Sequence, residues 1–176
     1  MDYIFYTGLI GSLVLVSGAA WPEGKKISHP AKSLKNWLFF LGGLIMLVYA
    51  ILGYLSGGPI FFLILELLMV LSGLMMMLNI PEKINTPIIS ICALSLIIWS
   101  FYLFEGYNTI FFIVGLSGVA LGYGFKMGTL RRNLALTLGS TLIALYSYNE
   151  ASWIFFWLNM FFTIFINNNI MLIASI

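Results

Sequence analysis

The sequence predicts an all-α membrane protein: seven transmembrane helices in a 3+1+3 parallel pseudo-repeat, N-terminus outside and C-terminus cytoplasmic. Three observations predict it. Of 176 residues, 61% are hydrophobic and only 8% are charged, whereas a soluble domain carries about a quarter charged residues. The apolar residues gather into seven runs divided by turn-forming sequence. Every lysine and arginine falls in alternate loops between those runs.

The runs cover roughly 3–21, 37–55, 60–80, 87–104, 109–125, 134–148 and 153–166. A spanning helix needs about 20 residues, with about 17 as a practical minimum. The first five meet or nearly meet that length, and the sixth is short unless it extends into the preceding loop. The breaks are SGGP at 56–59, NIPEKINTP at 79–87, EGYN at 105–108 and NEAS at 149–152. The tail NNNIMLIASI either prolongs the seventh helix or lies along the interface. The first run has Asp2 where a signal peptide carries positive charge, and its basic cluster follows the apolar run. That order predicts a retained helix.

Charge placement predicts orientation. Lys25, Lys26, Lys32 and Lys35 lie between helices one and two, Lys83 between three and four, and Lys126, Arg131 and Arg132 between five and six. Asp2, Glu105 and Glu150 fall at the opposite ends. The positive-inside rule then puts the N-terminus outside. The implied location is a multi-pass protein of the cell (inner) membrane. The basic stretch from Lys25 to Lys35 would attract anionic membrane lipid, at about 1 kcal/mol per residue near the surface. His29 belongs to this solvated loop. A net charge of +2 does not suggest nucleic acid.

The chain repeats weakly. Residues 3–18 resemble 110–125, with Gly8-Leu9-x-Gly11 over Gly115-Leu116-x-Gly118; residues 41–49 resemble 138–146, and PIFFLILE at 59–66 resembles WIFFWLNM at 153–160. The matches are collinear, at spacings of 107, 97 and 94 residues. This divides the chain into a first three-helix repeat at 1–80, a linker helix at 81–108 and a second repeat at 109–176. A competing register exists, since IFF recurs at 60, 110 and 154 and would suit three hairpins after a lone helix. In the first scheme both copies begin outside, so the repeats are parallel. Parallel repeats related by an axis along the membrane normal are a transporter arrangement, with the solute held between them.

This plan resembles the PQ-loop superfamily, which includes the SWEET sugar facilitators, and within it the small YgjV-type inner-membrane proteins of bacteria. Trp21-Pro22-Glu23 sits where that superfamily has its Pro-Gln pair, with Glu in place of Gln. The second copy has Phe125-Lys126-Met127 there and no proline. The hinge prolines of SWEETs have no counterpart inside helices 2, 5 or 6. SWEETs also carry a solute-facing Asn on the third helix of each repeat. Asn159 matches it in the second copy, while the first copy has Leu65 with Glu66 beside it. The resemblance implies transport of a small polar, uncharged solute, sugar- or nucleoside-like.

Glu66 is the chemically conspicuous residue. It lies about seven residues into helix 3, roughly 10 Å deep at 1.5 Å per residue, and Asn159 is at nearly the same depth in helix 7. Ionisable groups inside a membrane are rare and usually face the bundle interior or a water-filled cavity. One reading sets Glu66 and Asn159 facing each other along a solute or proton path, with Glu66 directed toward helix 7 and open to water. Another makes Glu66 a protonated tie between helices, a bond worth about 0.6–2 kcal/mol, and a third puts it in contact with a lipid head group. Trp157, Trp99 and Tyr102 could stack on a sugar or nucleoside ring, although Trp and Tyr gather at both membrane interfaces anyway.

Catalysis is not expected. HExxH, GxSxG and phosphate-cradling loops are missing, and Glu66 has no second acid or histidine in its own helix. Cys92 stands alone in an apolar run and reads as a small buried hydrophobe. No cofactor or metal is expected. Two functional classes remain: a carrier or facilitator, with its site between helices 3 and 7, or a structural or accessory subunit of a membrane complex. Monomer and homo-oligomer both stay open.

Overall fold

The computed structural model describes residues 2–21, 29–125 and 129–174, and of residues 2, 82 and 167–174 the backbone only. Pro22, Glu23, Lys25, Lys26, Lys126 and Met127, which figure in the sequence reading, lie outside the described residues. Seven α-helices form: α1 (Asp2–Ala20), α2 (Leu34–Leu55), α3 (Ile60–Met77), α4 (Glu82–Tyr102), α5 (Tyr107–Gly124), α6 (Leu130–Asn149) and α7 (Trp153–Ala174). A 3-10 turn at Pro30–Lys32 precedes α2, and no strand occurs among the described residues. The expected count of seven holds.

Helix is what lipid demands, because a spanning segment must satisfy its own backbone polar groups. Among the described residues five helices are long and apolar enough to cross a membrane: α1, α2, α3, α4 and α5. The protein is therefore a membrane protein. The apolar part of α7, Trp153–Ile166, is shorter. The backbone continues as helix to Ala174, so the tail prolongs α7 at least that far. The short sixth run gains length by taking Arg131, Arg132 and Asn133 into α6.

Boundaries move where capping chemistry decides. The Ser33 side chain accepts from the Asn36 amide at 3.4 Å and starts α2 three residues before its apolar run. Thr129 does the same for α6, accepting from the Arg132 amide at 3.3 Å. Side-chain oxygens at these positions satisfy amides that have no partner within the helix. The 3-10 turn is held from α2: Asn36 Nδ2 donates to the Pro30 carbonyl at 3.1 Å and Trp37 Nε1 to the Ala31 carbonyl at 2.8 Å. At the other extreme, α4 begins at Glu82 and encloses Pro87, which the sequence reading put in the loop. A proline removes the bond to the carbonyl four residues back, here that of Lys83, which is exposed at the helix start.

The chain divides into two compact units, Met1–Pro81 and Glu82–Ile176. In the first, α2 lies between α1 and α3; in the second, α4, α5, α6 and α7 pack each on the next, so α6 lies between α5 and α7. The helix read as a linker thus packs on α5 within the second unit.

The two units share local geometry. After α2, Gly58 N donates to Gly53 O at 2.9 Å, with Gly57 at φ +91°. After α6, Ser152 N donates to Ser147 O at 2.9 Å, with Ala151 at φ +52°. This is the same helix-ending turn, 94 residues on, the spacing at which PIFFLILE matches WIFFWLNM. The same turn also ends α3, where Ile80 N donates to Met75 O at 3.4 Å with Asn79 at φ +52°.

The first and middle helices of each triplet approach closely through glycine. In the first unit Gly42 faces Leu15, and a Cβ on Gly42 would lie 2.7 Å from Leu15 Cγ. In the second, Gly122 faces Leu136, at 2.5 Å by the same measure. The glycine and leucine exchange helices, but the pairs correspond at 107 residues for α1 with α5 and 94 for α2 with α6. The sequence overlay instead set Gly42 on Gly139. Contacts place that match one helical turn away, because a residue shift of three nearly preserves the helix face.

Candidate functional site

Two polar residues of the expected site are buried. Glu66 is 2% exposed and Asn159 is 7% exposed. The aromatic candidates are not: Trp99 is 38%, Trp157 55% and Tyr102 88% exposed. Trp157 and Asn159 are two residues apart on α7, about 200° around a helix of 3.6 residues per turn. They leave opposite sides of α7, so α7 cannot present both to one solute. Trp157 instead packs edge-on with Phe156, which meets Tyr148 and Trp153. Such a cluster has the composition of an interfacial belt.

The environment of Glu66 follows from the α2–α3 contact. Gly43 approaches Val70 and Gly73 approaches Phe40. Glu66 precedes Val70 by four residues and Gly73 by seven, so all three share one stripe of α3, the stripe that meets α2. The antiparallel register sets Glu66 opposite Leu47, with Gly43 and Ala50 about a turn to either side. Phe61, Leu65, Leu68 and Ser72 form a second buried stripe on α3. Within its unit, Glu66 therefore turns toward α2. Its Oε2 is buried with no hydrogen-bond partner among the described residues, so the expected opening to water is not present at that atom. The physical reason is rotational: the step from Leu65, which matches Asn159, to Glu66 turns the side chain by about 100°.

Asn159 is better satisfied. Its Nδ2 donates to the Phe155 carbonyl at 2.9 Å, four residues back in the same helix. Next to it on α7, Thr163 meets Thr141 of α6 at 3.4 Å.

Sequence reasoning passed over several polar atoms. Ser72 Oγ and Asn85 Oδ1 are buried without hydrogen-bond partners among the described residues. Ser72 is an ordinary small residue of its run and Asn85 an ordinary polar residue of the break at 79–87, so no sequence signal marks them. Asn108 links two turns of the second unit, donating to Glu150 and accepting from Asn149 Nδ2 at 2.9 Å. Here a signal existed, since EGYN and NEAS are the polar breaks at one end of the hairpin. Among the described residues no group of three His, Cys, Asp or Glu comes together to hold a metal. Cys92 is a free thiol, part-buried in α4.

No family model matches the chain, and neither does any curated protein or solved structure.

Proposed function

We propose that the protein is a carrier or facilitator for a small polar, uncharged solute, of sugar or nucleoside type, built on the PQ-loop plan in a bacterial inner membrane. One observation carries this reading: the carboxyl of Glu66, midway along a spanning helix, is buried with Oε2 left without a hydrogen-bond partner among the described residues. A polar atom in that state costs about 1–3 kcal/mol. Membrane proteins keep such groups mainly on substrate and ion pathways. The matching glycine–leucine contacts of the two triplets support the parallel repeat that this class of carrier uses.

A second reading, an accessory subunit without transport of its own, is favoured by the exposure of Trp99, Tyr102 and Trp157. In this reading the aromatics anchor the bundle or meet another subunit.

Reconstituted vesicles separate the two. The carrier reading expects exchange of radiolabelled glucose or uridine several-fold above protein-free vesicles, abolished by Glu66→Leu. Uptake of neither solute, with the protein folded and correctly inserted, would favour the accessory reading.

The proposed orientation has its own check. On a Cys92→Ala background, Ser56→Cys should react with an impermeant maleimide added to intact cells. Lys32→Cys should react only after the membrane is opened. Labelling of both from one side would remove the parallel-repeat topology.

A further inference from the structure

The α2–α3 seam holds a lone carboxyl, and its surroundings narrow what that group can bind. A hard metal cation needs several oxygen ligands, six to eight for calcium and near-octahedral six for magnesium. Glu66 brings two, and no other acid, histidine or cysteine among the described residues joins it in a cluster. A proton needs one oxygen only. Resting on the carrier reading, we propose that Glu66 is a proton-binding site, loaded from water on one side of the membrane and unloaded on the other, so that solute movement is coupled to a proton.

Groups that could interfere are few. Across the seam, Leu47, Gly43 and Ala50 carry no titratable atom. Tyr49, the nearest ionisable side chain on α2, belongs to the stripe with Gly42 and Met46 that meets α1. The 3-10 turn also packs against α3 and carries Lys32 beside His29. The register that pairs Phe40 with Gly73 sets this turn at the far end of α3 from Glu66. Lys35 of α2 lies at that same far end, so among the described residues of the unit no cation faces a carboxylate at Glu66 while the seam is closed. Burying an unpaired charge is far costlier than burying a neutral polar group.

The coupling step follows. With the seam open to water, the carboxylate takes a proton and forms an O–H bond. The neutral acid can then be enclosed as the seam closes. Opening to the other side breaks that bond and returns the proton to water. At Gly43 and Gly73 one side chain only, that of Val70 or Phe40, stands between the two backbones where they would part.

The test uses the full chain in phosphatidylethanolamine–phosphatidylglycerol vesicles, with radiolabelled uridine and glucose as probes. Uptake is compared with and without an inwardly directed proton gradient, the outside held two pH units more acidic than the inside. The wild type should take up its solute at least fivefold faster with the gradient. In Glu66→Gln the ratio should fall to one whatever the absolute rate, and Glu66→Asp should restore a ratio above one. A wild-type ratio of one, or an unchanged ratio in Glu66→Gln, overturns proton coupling and leaves the carrier reading standing. If Glu66→Gln takes up neither probe, pyranine trapped inside wild-type vesicles decides. Acidification on adding solute supports coupling, and its absence overturns it. Uptake of neither probe by the wild type would remove the carrier reading and this proposal together.

Discussion

Gly139→Ala should lower the thermal stability of the detergent-solubilised protein sharply, by about 1–3 kcal/mol or more, as overpacking a close contact does. A Cβ at this position would lie 2.6 Å from Val119 N, 2.8 Å from Gly115 O and 2.9 Å from Gly118 C. All three are backbone atoms of α5, so no side chain can swing aside and the helices must separate. Separation spreads along the contact, because Gly115 and Gly118 are themselves closed against Ile143 and Gly139. Without a strong hydrophobic drive in lipid, such close backbone packing is what associates helices. Gly43→Ala is the control. Its Cβ would meet only Val70 Cγ2, at an ordinary 3.7 Å, and the residue gains helix propensity of up to about 1 kcal/mol. Melting curves showing equal losses for both would remove the α5–α6 contact as the basis of the second unit.

Glu66→Leu should raise thermal stability, by about 1–3 kcal/mol, the penalty carried by an unsatisfied buried polar group. The reasoning is a comparison of partners. Oε2 has none among the described residues, so leucine forfeits no bond there and fills an apolar seam beside Leu47. A carboxyl acting as structural glue would behave oppositely, since its removal would leave a partner orphaned. The same substitution should abolish transport, giving a variant that is more stable and inactive. Gain of stability with loss of function is the pattern expected where a strained site serves activity. A lower melting temperature for Glu66→Leu would show that the carboxyl holds helices together, and would move weight to the accessory reading.

Much of this architecture was legible beforehand because the bilayer imposes a coarse rule. Seven apolar runs became seven helices, since any other backbone would leave amides and carbonyls unsatisfied in lipid. The ends were less legible. Ser33 and Thr129 start α2 and α6 by capping, which hydropathy does not weigh, and Pro87 was tolerated inside α4 near its exposed start. The proposed repeat rests in sequence on matches between the first and third helices of each triplet. In the middle helix the sequence match sets Gly42 on Gly139. The contacts of Gly42 with Leu15 and of Gly122 with Leu136 instead make Leu136 the counterpart of Gly42, with the small residue on the other side of the contact.

For the candidate site the sequence determined depth and chemistry. It marked Glu66 and Asn159 as the polar groups within otherwise apolar runs, and composition alone established a membrane protein. Only the tertiary structure decided direction. Glu66 turns to α2, Asn159 is buried, and Trp99, Tyr102 and Trp157 are left on the surface. The reason is geometric: position along a helix is a matter of counting residues, but each residue also turns by about 100°. Which of those directions is covered depends on the neighbouring helix, and the contacts that seat that neighbour come from glycines far from the site in sequence.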